Sequence, residues 1–140
     1  MYLLDTNVLS ELRRPERTNP NVRAWAERTP VGQHAISVVT VLELERGTLL
    51  LERRNSVQGA ILRRWLEQEV LGLLADRILT IDVAIARCSA ALQVPNTRPE
   101  RDALIAATAL THGLTVVTRN TVDFEPLGVA LLNPWLAPGA

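Results

Sequence analysis

The chain opens Met1-Tyr-Leu-Leu-Asp-Thr-Asn7, and the reading of this stretch decides the fold. Met1–Leu4 is an apolar run too short for a helix, and Asp5-Thr6-Asn7 behind it favours a helix start. The pair reads as a buried strand with Asp5 at its carboxyl end, followed by a helix. Val8, Leu9 and Leu12 carry that helix until Arg13-Arg-Pro15 stops it. A short amphipathic helix, Asn21–Arg28, closes at Pro30. A second strand, Gln33–Ser37, precedes a long helix capped by Ser37 or Thr40 and running to about Arg54, with Gly47 inside it. A further helix spans about Ser56–Leu74, Arg77–Ile81 is a third strand, and Asp82 caps a helix toward Leu92. After the turn-rich Pro95–Pro99, Pro99 stands as the first residue of a helix that reaches His112 and ends at Gly113. Leu114–Val117 and Val129–Leu132 are the last strands.

Short apolar strands alternating with helices specify an α/β fold: a central, mainly parallel sheet covered by helices on both faces, three layers in all. The length of 140 residues and the absence of repeats or linkers predict a single domain over 1–140. In such sheets ligands bind beyond the carboxyl ends of the strands, so candidate functional residues lie at those ends.

Composition excludes several function classes. All fifteen basic residues are arginine, with no lysine. That removes a P-loop lysine, a Schiff-base lysine and a kinase-type Lys/Glu pair. Phosphate binding remains open, because the guanidinium is a good planar partner for it. No Gly-rich phosphate loop and no G-x-S-x-G elbow is present. His34, His112 and the lone Cys88 lack zinc-ligand spacing and read as structural. No apolar run approaches the roughly 18 residues of a membrane helix, and the N-terminus lacks the basic region of a secretory signal. One unpaired cysteine fits a reducing cytoplasm.

Four acids fall near the strand ends. Asp5 ends the first strand. Asp123 follows the Leu114–Val117 strand within Thr118-Arg-Asn-Thr-Val-Asp-Phe124. Asp102 begins the helix leading into that strand, on one face with Ile105, Ala106 and Ala109. Glu43 lies some six residues past Ser37, roughly 9 Å along a helix read as buried around it, with Val39, Leu42, Leu44 and Leu50 nearby. Helical side chains lean toward the N-terminus, so it can reach back. Each acid also has an ordinary structural use: Asp5 as a cap, Asp102 in a first turn, Glu43 paired with Arg46, Asp123 in a turn. Taken together, four converging carboxylates imply a bound hard cation, Mg²⁺ or Mn²⁺. Trp25, Trp65 and Trp135 read as packing residues. Arg13, Arg14, Arg17 and Arg119 are candidate contacts to a phosphate backbone.

Leu3-Leu-Asp-Thr-Asn-Val8, Ser37-Val-Val-Thr-Val-Leu-Glu-Leu44, Asp102-Ala-Leu-Ile-Ala-Ala-Thr-Ala109 and Thr118-Arg-Asn-Thr-Val-Asp-Phe124 resemble the motifs of a PIN domain, in particular the VapC-like toxins of bacterial toxin–antitoxin pairs. The closing Asn133-Pro-Trp135 resembles the FitB branch. This resemblance implies a metal-dependent endoribonuclease, silenced by a cognate DNA-binding antitoxin of the VapB or FitA kind, meeting DNA only through that antitoxin and forming a homodimer. By motif, Asp5, Glu43, Asp102 and Asp123 match the acidic quartet, Thr118 the hydroxyl beside it, with Thr6 and Asn120 on the same edge. Some FitB-like members carry the last acid at the position of Asn120, which is neutral here.

Other metal-using classes fit less well. Haloacid-dehalogenase phosphatases need a second aspartate where Asn7 stands, and receiver domains need a lysine. The alternative retained is a catalytically silent PIN-like module that grips RNA or its antitoxin. The Thr48–Leu51 stretch and the Trp65 helix read first as core packing, with a dimer contact or an antitoxin groove as their other use.

Overall fold

The computed structural model describes residues 1–138. Five parallel strands, β1 (Tyr2–Leu4), β2 (His34–Ser37), β3 (Ile78–Leu79), β4 (Thr115–Val117) and β5 (Leu131–Leu132), form one sheet in the order β3-β2-β1-β4-β5. Helices cover both faces: α1 (Thr6–Leu12), α2 (Pro20–Arg28), α3 (Val38–Arg54), α4 (Ser56–Arg64), α5 (Val83–Leu92), α6 (Glu100–His112) and the short α7 (Thr121–Phe124). The three-layer parallel α/β architecture expected from the sequence is the one observed. Among the described residues no helix is long and apolar enough to cross a membrane.

Strand alternation divides the core. Leu3, Ala35 and Val116 point to one face, where Ile105, Ala106 and Ala109 of α6 pack with Phe124. Their neighbours Leu4, Ile36 and Val117 point to the other, against Val8 and Leu9 of α1, Trp25 of α2 and Leu66, Val70 and Leu74. This is the two-residue period of a sheet buried on both sides. Gly113, at φ 67°, ends α6 in the left-handed conformation that a glycine adopts without strain. His34 is buried and stacked on Trp25, with ring centroids 5.3 Å apart.

Several local expectations change. Pro99 caps α6 rather than opening it: its backbone is extended, and its carbonyl accepts the Ala103 N–H at 3.1 Å. The expected helix Ser56–Leu74 is α-helical only to Arg64, and Trp65–Gly72 continues it as a wider π-helix. Asp123, expected in a turn, lies instead in the short helix Thr121–Phe124. The helix α3 is not buried all round Glu43. Leu44 packs inward, but Leu42, Leu49 and Leu50 are 54%, 51% and 60% exposed, leaving one apolar flank of the helix outside the core.

The α3–α4 corner depends on a glycine. Asn55 caps α4 by accepting the Gln58 N–H at 3.1 Å, and Arg63 bridges back to Glu45 and Glu52 at 2.6 and 2.9 Å. A Cβ on Gly59 would lie 2.5 Å from Glu52 Cα and 2.9 Å from its backbone nitrogen. Alanine is the better helix former by about 1 kcal/mol. Gly59→Ala is nevertheless expected to destabilise the protein by about 1–3 kcal/mol, because backbone must move. Urea unfolding checks this, and a midpoint equal to or above the native one would refute the close approach.

Candidate active site

The strand order reverses at β1: the chain passes to β2 and β3 on one side and later returns to β4 on the other. The crevice between the carboxyl ends of β1 and β4 is therefore the topological switch point, where open α/β sheets place their ligands. Asp5 follows β1 and Thr118 follows β4, held together by the Asp5 N–H on the Val117 carbonyl at 2.9 Å.

Asp5 caps α1 and also lines the cleft. Its Oδ1 accepts the Thr6 N–H at 2.8 Å, and its Oδ2 accepts the Thr118 hydroxyl at 2.8 Å. The Thr118 Oγ1 in turn accepts the Asn120 N–H at 3.0 Å and an Asn7 Nδ2–H at 3.3 Å. Those donors leave the Thr118 proton directed at the carboxylate, which fixes the carboxylate's orientation. Oδ2 also accepts an Asn7 Nδ2–H at 3.5 Å; of the carboxylate's roughly four acceptor positions, one remains open, on Oδ1.

A helix feeding a parallel strand starts at the carboxyl edge of the sheet, which brings Asp102, in the first turn of α6, to the same cleft as Asp5. Glu43 reaches back along α3 as its length and lean require. It accepts the Thr6 hydroxyl at 3.0 Å on one oxygen and pairs through the other with Arg101 at 3.3 Å. Its expected pairing with Arg46 is thus replaced by a contact across the cleft. The cleft encloses about 780 Å³, and Asp5, Thr6, Glu43, Asp102 and Asn120 all line it. Asp123 does not. It is exposed on α7, yet near enough to disfavour the charged form of Asp102.

The electrostatics are unfavourable as they stand. Burial pushes the Asp5 carboxyl up, against the lowering effect of its hydrogen bonds from Thr118 and Thr6, and Glu43 adds repulsion. Asp102 is also raised, by burial first and then by Asp5, Asp123 and Glu43. Among the described residues neither Asp5 nor Asp102 has a cationic side chain within ion-pair distance. No three of the described His, Cys, Asp and Glu side chains form a ready-made metal cage. The donor set fits instead a cation held by one or two carboxylates that keeps its remaining positions for water and substrate oxygens, as Mg²⁺ does.

Sequence reading missed Arg101, whose position beside Asp102 was its only signal. Trp135, read as packing, lines the cleft together with Arg119. Arg13 lines an adjoining cleft, while Arg14 and Arg17 are exposed outside the main one.

Comparison with known proteins places this geometry. Residues 2–127 match the PIN domain model. The chain is 41% identical to Toxin FitB of Neisseria gonorrhoeae, over 96% of this chain and 99% of the relative. It is 36% identical to VapC ribonuclease Y4jK of Sinorhizobium fredii, over 96% and 98%. The fold superposes on FitAcB from Neisseria gonorrhoeae with a TM-score of 0.88 and 40% identity, covering 96% of this chain and 99% of that one. A structure of FitAB bound to an IR36 DNA fragment also gives 0.88, at 38% identity, covering 97% and 96%.

Proposed function

This chain belongs to the PIN-domain family, among its VapC- and FitB-like toxins, and from that premise we propose that it is a Mg²⁺-dependent endoribonuclease, the toxin of a toxin–antitoxin pair. One observation carries the reading. Asp5 and Asp102, with Glu43 beside them, meet at the switch point of the sheet, and burial, followed by repulsion from neighbouring carboxylates, pushes both aspartates above their ordinary values.

Asp5 and Asp102 would hold the metal, with Glu43 and the more distant Asp123 arranging the water around it. When bound, the metal polarises the scissile phosphate and lowers the pKa of a water molecule. The chain's own residues supply the orientation. Thr118 and the Thr6 N–H keep the Asp5 carboxylate in one rotamer, Arg101 steadies Glu43, and a carboxylate orients the attacking water in line with the departing oxygen. Asn120 and Thr6 line the edge where the RNA backbone enters.

The relatives' names extend the proposal to partners. We assign the chain a cognate DNA-binding antitoxin that covers this cleft and tethers the toxin to DNA, a cytoplasmic site of action, and a homodimer in which the exposed Leu42, Leu49 and Leu50 of α3 become covered.

The raised aspartates make a thermodynamic prediction. Stabilisation from a carboxyl whose folded pKa is raised is complete below about pH 4, where the unfolded chain is also protonated. It is lost as pH climbs through the raised folded values. Metal-free protein should therefore lose stability across that interval. At neutral pH, Mg²⁺ at ten times its Kd should raise the melting temperature by about 3–6 °C. Asp102→Asn should melt higher than native without metal and lose the Mg²⁺ response. A native melting temperature indifferent to Mg²⁺ would refute the cation site.

Cleavage of cellular RNA by purified, antitoxin-free protein tests the function itself. Cuts in Mg²⁺ that disappear with EDTA are expected. A folded protein that binds RNA or antitoxin but cuts nothing would establish the silent binding module instead.

A further inference from the structure

We propose that Arg119, backed by Trp135, is the platform on which one nucleobase of the substrate strand stacks, beside the phosphate that enters the acid-lined cleft. This assignment rests on the ribonuclease reading of that cleft and names what the cleft recognises: an unpaired nucleotide.

Four features of the rim carry it. Arg119 and Trp135 both line the cleft that holds Asp5 and Asp102. The Arg119 Cζ lies over the indole, 5.4 Å from the ring centroid, within reach of a cation–π attraction. Trp135 is fixed in place. Its carbonyl accepts an Asn21 Nδ2–H at 2.8 Å, its N–H donates to Asn133 Oδ1 at 2.9 Å, and its ring packs against the core that includes Leu4, Leu9 and Trp25. Arg119 follows Thr118 directly, with its N–H on Asn7 Oδ1 at 3.4 Å, so the platform is built onto the residue that orients Asp5.

Charge partnering separates this arginine from its neighbour. Arg101 is spent on Glu43. Among the described residues Arg119 meets no carboxylate within ion-pair distance, and its exposed side chain is steadied by an aromatic face. The guanidinium donors therefore remain available to a ligand. A guanidinium plane stacks on nucleobases and its donors suit phosphate oxygens. Trp135 lies beyond residues 2–127, the span of the PIN domain match, whereas Arg119 lies within it, so the aromatic backing comes from outside the matched span. A base paired and stacked within a duplex is not free to leave its neighbours for such a surface, which makes the preferred strand single or looped at the cut.

The test is fluorescence anisotropy with three labelled probes: a short mixed-sequence single-stranded RNA, the same strand with abasic residues, and its full duplex. Ca²⁺ replaces Mg²⁺ so that binding is read ahead of cleavage. Native protein is expected to favour the single strand over both other probes. Arg119→Ala and Trp135→Leu should each weaken single-strand binding by about 5- to 100-fold, a larger loss than either causes on the abasic strand. Arg119→Lys, which keeps the charge and loses the plane, should remain weak on the single strand, and Trp135→Phe should recover much of the native affinity. The Arg119 variants alter an exposed side chain, so they stay informative if Trp135→Leu fails to fold. An equal loss on intact and abasic strands, or full recovery by Arg119→Lys, would show a phosphate contact only and overturn the platform. Native protein that binds none of the probes would overturn the ribonuclease reading and the platform with it.

Discussion

Asp5→Asn is expected to lower the rate of RNA cleavage by on the order of 10³-fold or more while the protein stays folded. The structure supports both halves of that statement. Asparagine caps helices about as well as aspartate, so the bond from the Thr6 N–H at 2.8 Å can survive. The difficulty lies at Thr118. Its hydroxyl already accepts from Asn120 and Asn7 and donates to Asp5 Oδ2. An amide offers one oxygen where the carboxylate offered two, so Thr6 and Thr118 compete for it, at about 1 kcal/mol. Loss of a desolvated charge facing Glu43 and Asp102 offsets that cost. The catalytic half has no such offset, because a neutral amide cannot replace a carboxylate beside a divalent cation. Single-turnover rates alongside melting curves decide the matter. An unfolded variant would make Asp5 structural, and a folded one within tenfold of native would remove it from the centre.

Phe124→Ala is expected to cost about 3–5 kcal/mol of stability. Phe124 is the chain's only phenylalanine and is 1% exposed. It shares its side of the core with Ala106 and Ala109 of α6, Leu3 and Val116. Small residues on α6 make room for the ring, and alanines cannot swell to fill the space it would leave. The ring also anchors α7, so its loss should loosen the segment from Thr118 to Asp123 behind the site. Urea unfolding should show a lower midpoint with an unchanged slope. A loss under 1 kcal/mol would mean that α7 collapses into the gap and that the anchor is dispensable.

The residues that were legible in advance are those whose local pattern and final position obey one cause. Asp5 ends an apolar run, so its place at a strand's carboxyl end follows from sequence. Asp102 starts the helix that feeds β4, so the topology carries it to the same edge. Glu43 required a longer step, yet helix rise and side-chain lean sufficed to bring it to Thr6. Where pattern and environment separate, the reading failed. Four residues are too few for periodicity to reveal α7, and Val122 within it is 75% exposed. An apolar α3 looks buried from composition, but Leu42, Leu49 and Leu50 are each more than half exposed. The wider winding of Trp65–Gly72 leaves Leu66 and Val70 in the core, so the apolar spacing cannot betray it. Trp135 reaches the cleft because β5, just before it, pairs with β4, the Thr118 N–H bonding the Leu132 carbonyl at 3.0 Å, and because Asn21 on α2 holds its carbonyl. Arg101 has no motif of its own, and its role appears only when α6 and α3 meet.

In the proposed reaction, carboxylates in this cleft direct a water molecule, with a divalent cation, at an RNA phosphate. The phosphate end left on the products tests it most directly. Attack by water leaves an uncyclised phosphate monoester, whereas attack by the substrate's own 2′-hydroxyl leaves a 2′,3′-cyclic phosphate and needs no metal-held water. Products from antitoxin-free protein are expected to carry only the uncyclised monoester, and to form in Mg²⁺ but not in EDTA. Cyclic phosphate ends, produced equally well in EDTA, would contradict the account.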